Sequence, residues 1–432
     1  MMRNSHAVPA QEVAGRGKSG PRIAVIHEWL EKHAGSEQVL EQILLCYPTA
    51  DVFVVADFMP ENKRGFLKGH NVRASFIQKL PFARRHFRKF LGLMPLAVEQ
   101  FDLTGYDLVI SSHHAVAKGV ITGPDQLHVS YVHSPMRYAW DLQARYLEER
   151  GLGWGGLGLY TRWLLHRLRN WDARSAAGVD LFVANSRYIA RRVQKAWRRE
   201  AIVLNPPVAV DKFRLSSDRE DFYLVVSRFV PYKRIDLIAA AFSKMPDRRL
   251  VIVGEGEGDA AIRAAAAGCP NIEIRKPVRI DELVSLMGRA RAFVFAAAED
   301  FGIVMAEAQA CGTPVIAYGV GGACDIVIGE DATDPTGLLF SEQTAEAIVA
   351  AVRRFEQNRH RIHAETCRAN AMRFSEEAFR RRFMEIVDEA VAARAGQPSA
   401  PADRIPMMRG TEAVMADHPD ALRRHGLKDQ VA

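Results

Sequence analysis

Glu299 and Glu307 stand eight residues apart at the two ends of the run EDFGIVMAE. The apolar stretch before it, residues 291–298, reads as a buried strand. A helix is predicted to start inside the run and end at Cys311-Gly312, ahead of another strand at 313–318. This order places a helix N-terminus at the carboxyl edge of a parallel sheet, with the amides of Gly302, Ile303 and Val304 pointing into a cleft. Free amides and the positive end of the helix dipole bind anions. Gly302, after Phe301, lets the chain approach a phosphate closely because it has no side chain to intrude. A carboxylate accepts from two vicinal hydroxyls at once. The pattern suits a ligand with both phosphate and sugar hydroxyls, as in a sugar nucleotide.

Two cations point to the same edge. In VSRFVPYKRIDLI, Arg228 ends a predicted strand and Lys233 opens a helix. A diphosphate leaving group gains negative charge as its bond to the sugar breaks, so fixed cations there act on the transition state. The next pair, Arg234 and Asp236, reads as structural. Backbone edges near Gly254 and Val278 would read the base. Elsewhere, His133 ends the strand LHVSYVH, and the His113-His114 pair ends another, either lining a cleft or merely capping the strand. Gly35 and Ser36 follow the first strand in EKHAGSEQVL, with Ser36 expected to cap the next helix. Gly321-Gly322 either approaches the phosphates or forms a simple turn. No two Asp residues are separated by one residue, so a D-x-D metal site is absent. Charge neutralisation falls to Arg228, Lys233 and the helix end, and transfer is expected to need neither metal nor cofactor.

The elements that must position these groups alternate strand and helix in two blocks, with ten short apolar strands at 22–28, 51–56, 106–112, 127–133, 179–186, 222–228, 249–256, 271–277, 291–298 and 313–318. Continuous apolar strands between amphipathic helices mean parallel sheets covered on both faces. The 432 residues exceed a single core. The expectation is an α/β chain of two facing, doubly wound Rossmann-like domains. The N-terminal one spans 21–204 with a returning helix at 375–395, and the C-terminal one spans 205–374, joined near Pro206-Pro207. Residues 1–20 read as a loose polar leader without an apolar signal segment, and 396–432 as a disordered tail. The leader's GRGKSG is no phosphate loop, because Glu12 stands where the first glycine belongs. Five scattered cysteines, without a C-x-x-C, read as reduced cytosolic thiols.

VSRFVPYKRIDLI, VGEGEG, EDFGIVMAEAQACGTPVIA, GVGGACDIV and TGLLF, in that order, resemble the nucleotide-binding half of the retaining glycosyltransferases of family 4, which have the GT-B fold. The likeness runs over residues 21–395, and VHSPMRYAWD resembles a subgroup of bacterial polysaccharide mannosyltransferases. It implies donor contacts from Arg228, Lys233, Gly254, Val278, Phe301, Gly302, Ile303 and Val304. Glu299 would meet hexose hydroxyls, Glu307 the ribose, and His133 the donor sugar near the reacting carbon. Gly35 and Ser36 would face the acceptor, although the family usually has Gly-Gly where this chain has Ala34-Gly35, and His113 is placed with them from its strand-end position alone.

The net charge of +7 is uneven. Residues 63–98 hold nine Lys or Arg and no Asp or Glu, with Phe82, Phe87 and Phe90 among them. GLGWGGLGLYTRWLLHRLRNW, at 151–171, repeats the mixture. Such stretches suit either an anionic membrane surface or a helix packed on the core with a solvated basic face. No nucleic-acid module accompanies the charge. The leading expectation is transfer of mannose from GDP-mannose to a lipid-diphosphate-linked oligosaccharide at the inner face of the cytoplasmic membrane, in exopolysaccharide or O-antigen synthesis. The alternatives are a UDP-sugar enzyme of the same family, an epimerase or phosphorylase sharing the fold, and a silent membrane-bound scaffold. No G-x-G-x-x-G follows the first strand, which counts against a nicotinamide enzyme.

Overall fold

The protein contains two parallel sheets built from short, mostly apolar strands. The structure, a computed structural model, describes residues 20–395; the expected leader (apart from Gly20) and tail lie outside them. The first sheet contains β1 (Ile23–Leu30), β2 (Asp51–Asp57), β3 (Val72–Ala74), β4 (Leu108–His113), β5 (Leu127–Val132), β6 (Leu181–Ala184) and β7 (Ile202–Val203), in the order β3-β2-β1-β4-β5-β6-β7. The second contains β8 (Phe222–Val226), β9 (Arg249–Val253), β10 (Ile272–Arg275), β11 (Ala292–Phe295), β12 (Val315–Tyr318) and β13 (Gly337–Phe340), ordered β10-β9-β8-β11-β12-β13. Both sheets belong to one body that runs through Asp388. This is the GT-B architecture, with both strand orders reversing at the first strand of each sheet.

Side-chain alternation builds the core. Leu224, Val251, Phe293 and Phe295 enter the cluster on one face of the second sheet, and Tyr223, Val225, Ile252 and Val294 enter the cluster on the other. Each such side chain contributes roughly 1.5–3 kcal/mol on burial. The last helix, Glu376–Ala395, returns to the first sheet's side. There Gln42 donates to Glu376 at 3.2 Å and also accepts from Arg380, and Phe379 lies 5.7 Å from the Tyr131 ring.

The first sheet also departs from expectation. The basic stretch at 63–98 is a series of short 3-10 turns and short helices. Pro81 and Pro95 interrupt hydrogen bonding there, and Phe82 adopts a left-handed conformation with φ of 59°. Only the second stretch forms a long helix, Gly156–Ser175. Ser36 does not cap its helix: the cap of Gly35–Cys46 is Ala34, two residues earlier, and Glu37 reaches back to the Ala34 amide at 3.1 Å.

Candidate active site

Parallel strands deliver their carboxyl ends to one edge, and the carboxyl edges of both sheets border the same cleft. A cavity of about 580 Å³ lies between them. From the first sheet it takes Gly35, Ser36, His114, His133, Arg137 and Asn185; from the second, Arg228, Tyr232, Lys233, Glu299, Asp300 and the turn Phe301–Val304. Arg228, Lys233 and Val304 also line an adjoining space of about 390 Å³, whose other walls include Val226, Gly254, Pro277, Val278 and Leu283. The first space is polar and charged; the second is a largely apolar slot that suits a flat ring.

Local backbone chemistry explains the polar wall. The Ile303–Ala310 helix is capped by Gly302 at φ 91°, ψ 60°, a conformation that side-chain-bearing residues rarely adopt. The Ile303 and Val304 amides fall in the first turn, where no intrahelical carbonyl is in reach. Lys233 closes the 3-10 turn Pro231–Lys233 and makes an ion pair with Glu299. The Arg234–Asp236 pair is present, at 3.8 Å, on the surface. Gly321 and Gly322 sit behind the wall: a Cβ on Gly321 would lie 2.1 Å from the Glu299 carbonyl oxygen, and the Gly322 amide donates to that oxygen at 2.8 Å. They support the acidic loop by close packing and do not line the cavity.

Glu307 lines neither space. It lies one turn beyond Val304 on the same helix face, half-buried, where burial pushes its carboxyl up to about 7 against the opposing charge of Lys212. His113 is a correction to the sequence reading. Its ring is fully buried, 3.4 Å from Glu28, and its neighbour His114 faces the cavity instead. Successive strand residues point to opposite sides, so a pair at a strand end sends only one ring to the cleft.

Sequence reasoning missed the groups behind this wall. Glu28 is fully buried on β1, and its carboxylate accepts from the amides of His114, Ala115, Val116 and Ala117 at 2.7–3.1 Å. Burial opposes its ionisation, but His113, His114 and the Val116 amide outweigh that and hold Glu28 well below the usual carboxylate range. Burial takes His114 down to about 4 despite Glu28, and also lowers His133 well below the ordinary imidazole value. Asp300 ties the sheets together, with Arg137 and Arg192 each 3.3 Å from its carboxylate. A Cβ on Gly35 would lie 3.4 Å from Ile303 Cδ1, so the two walls approach closely at the cleft's mouth. The only legible signal for Arg137 was its place just after a predicted strand, and for Asn185 its place at the end of one.

Residues 209–374 match the glycosyl transferases group 1 family. This match covers the second sheet and the wall bearing Arg228, Lys233 and Glu299. A GDP-mannose-dependent monoacylated phosphatidylinositol monomannoside mannosyltransferase of Corynebacterium glutamicum is 28% identical over 190 residues, 37% of this chain and 49% of that protein. The D-inositol 3-phosphate glycosyltransferase of Mycobacterium avium is 32% identical over 140 residues, 28% of this chain and 33% of the relative. The chain thus spans about a third to a half of the length of these curated relatives. Among solved structures, Anabaena HepE in complex with UDP superimposes with a TM-score of 0.61 at 16% identity, over 85% of this chain and all of HepE. Sucrose-phosphate synthase from Thermosynechococcus elongatus does so with 0.62 at 18%, over 86% of this chain and all of the synthase. At these identities the likeness is one of fold.

Proposed function

We propose that this protein is a retaining glycosyltransferase of family 4 that moves a hexose from a nucleotide sugar, mannose from GDP-mannose, to a lipid-diphosphate-linked oligosaccharide. The observation that carries this reading is the convergence of Arg228, Lys233, Glu299 and the Gly302–Val304 helix start on one wall, next to an apolar slot. The diphosphate meets the two cations and the amides, the hexose hydroxyls meet Glu299, and the base enters the slot by Gly254 and Val278. Glu307 reaches the ribose from the next turn. Mannose is favoured by the Corynebacterium relative's name and by the VHSPMRYAWD likeness.

Retention is carried over from the family resemblance, and front-side attack is the route that the lining favours. The cavity residues from the first sheet include no carboxylate to act as a nucleophile on the far face. The bond from the anomeric carbon to the phosphate oxygen breaks, the acceptor oxygen bonds on the same face, and its proton passes to the departing phosphate oxygen. Arg228, Lys233 and the helix end stabilise the growing phosphate charge without a metal.

The acceptor's lipid gives the exposed surface of the first domain a role. Trp154, Leu157, Tyr160 and Trp163 are exposed along the Gly156–Ser175 helix and its lead, with the Arg162 guanidinium 4.3 Å from the Trp154 ring. Gly92 of the other basic stretch lies against Leu164, so the two surfaces adjoin. Among the described residues no helix is long and apolar enough to cross a membrane, and we place the protein on the cytoplasmic face as a peripheral protein. The test is a thermal-shift panel of GDP, UDP, dTDP and ADP with and without EDTA, followed by transfer from the matching nucleotide hexoses. A GDP shift that survives EDTA supports the reading, a UDP shift alone replaces the donor, and no shift with any nucleotide rejects the enzyme.

A further inference from the structure

A line of buried polar groups runs from the first turn of the Gly35–Cys46 helix across β1 and β4 to His133 on the cavity wall. His133 Nε2 lies 2.8 Å from Ser112 Oγ, Ser112 Oγ lies 3.1 Å from His27 Nδ1, and His27 Nε2 lies 3.8 Å from Glu37 Oε1. His27 and Ser112 are fully buried and face each other in register across β1 and β4, and Ser112 is in register with Tyr131 on β5. The other Glu37 oxygen is held by the Ala34 amide and the Ser36 hydroxyl, at 3.1 and 3.0 Å. Burial would raise the Glu37 carboxyl, but His27, the backbone and Ser36 bring it to about 2, so the line ends in a fixed anion. His27 Nε2 has no hydrogen-bond partner other than this approach to the anion.

A serine has one hydroxyl proton, so the line has a direction. When the His27 ring carries a single proton, that proton lies on Nε2, facing the carboxylate 3.8 Å away, since a bare lone pair there would be repelled. Nδ1 must then accept, and Ser112 donates to it. Ser112 Oγ is left to accept from His133, which therefore carries its proton on Nε2. The titratable neighbours are Glu28 on β1, His113 and His114 at the end of β4, and Tyr131 on β5, whose ring centroid is 5.2 Å from that of His133. No protein group among the described residues bonds His133 Nδ1.

We propose that Glu37, His27 and Ser112 are positioning residues that hold His133 as the Nε2–H tautomer, so that Nδ1 meets the donor hexose as a hydrogen-bond acceptor and selects a sugar with a free hydroxyl at that position. The proposal rests on the nucleotide-sugar reading only for the owner of the hydroxyl. The tautomer belongs to the protein alone.

The test needs no ligand at first. Full-length protein with ¹⁵N-labelled histidine is examined at pH 8 by long-range ¹H–¹⁵N correlation, with His133→Gln and His27→Gln assigning the two rings. The expected result is an unprotonated Nδ1 and protonated Nε2 on His133, a mixed tautomer in Ser112→Ala and Glu37→Gln, and the original tautomer restored in Ser112→Thr. A His133 Nδ1–H, an imidazolium at His27, or a tautomer indifferent to Ser112→Ala overturns the proposal. Monodeoxy and monofluoro nucleotide hexoses then test the sugar. At one position both analogues should lose transfer by roughly 5- to 150-fold, because neither can donate; a fluoro sugar accepted as well as the parent at every position also overturns it. Failure of every nucleotide to bind would reject the donor reading and leave the tautomer result standing.

Discussion

Lys233 and Glu299 are paired to each other on the cavity wall, although each belongs to a different element and each is suited to a different part of the donor. The pair keeps both side chains mostly out of solvent, at the spot where, on the proposed reading, a diphosphate would meet its sugar. A donor that enters offers phosphate oxygens to the lysine and hydroxyls to the glutamate. We expect Lys233→Ala to lower kcat by about 10²–10³-fold with a smaller change in KM, since the charge it meets grows as the bond breaks. Glu299→Gln should cost roughly 1–3 kcal/mol in kcat/KM. The double variant should fall short of the product of the two effects, because the partners are in contact. Steady-state kinetics on the three variants decides it. An unchanged kcat in Lys233→Ala would remove the lysine from the transition state.

Glu307 predicts a pH dependence with two signs. Its carboxyl sits at about 7 in the folded chain against an ordinary value of 4.5, so ionising it removes stability as pH rises between those values. Ribose hydroxyls need the carboxylate as an acceptor, so nucleotide affinity should climb over the same range and level off above it. Glu307→Gln should therefore melt higher than the parent at pH 8 without nucleotide, yet bind GDP more weakly there. Titration calorimetry from pH 5.5 to 8.5 on both proteins separates Glu307 from the nucleotide's own phosphate, which titrates equally in each. Parallel pH curves would rule out the ribose contact.

At Gly302 strain and function coincide. With φ at 91°, an alanine would be strained, and its Cβ would sit 2.4 Å from Met305 Cε. The Met305 tip can shift, so the fold should lose only about 1–2 kcal/mol. The new methyl would nevertheless stand beside the free amides of the first turn. Gly302→Ala should stay folded by circular dichroism while nucleotide-induced stabilisation falls much further than the melting temperature. A melting loss with full nucleotide response would mean that the glycine serves the turn alone.

Arg228, Lys233, Glu299 and the Gly302 turn were legible because a strand–loop–helix unit fixes where its loop must lie, whatever the rest of the chain does. All ten expected strands are present with shifted ends, most of them shorter and β1 and β2 running one or two residues further. The strands β3, β7 and β13 were missed because runs of three, two and four residues carry no period to detect. His27 and Glu28 were hidden inside an apolar strand, and their partners lie about 85 residues away in sequence, so nothing local marks them. The choice between His113 and His114 depended on a strand boundary to within one residue, which local propensity does not settle.

Glu28 carries the clearest stability prediction. Its oxygens accept from four successive amides, and it stays ionised although fully buried. Because its folded value lies below its unfolded one, it contributes stability above about 4.5 that is lost as pH falls through and below that point. Glu28→Gln replaces an anion that only accepts with an amide that must also donate, against backbone groups that also donate. We expect a loss of about 3–5 kcal/mol at pH 7 and a melting curve that is flatter between pH 5 and 3. The same loop presents His114 to the cavity, so the surviving folded fraction should also transfer poorly while still binding nucleotide at the opposite wall. Thermal melts across pH, paired with nucleotide binding on the same samples, test both halves. If Glu28→Gln melts like the parent at pH 7, the carboxylate is not what holds the 114–117 turn.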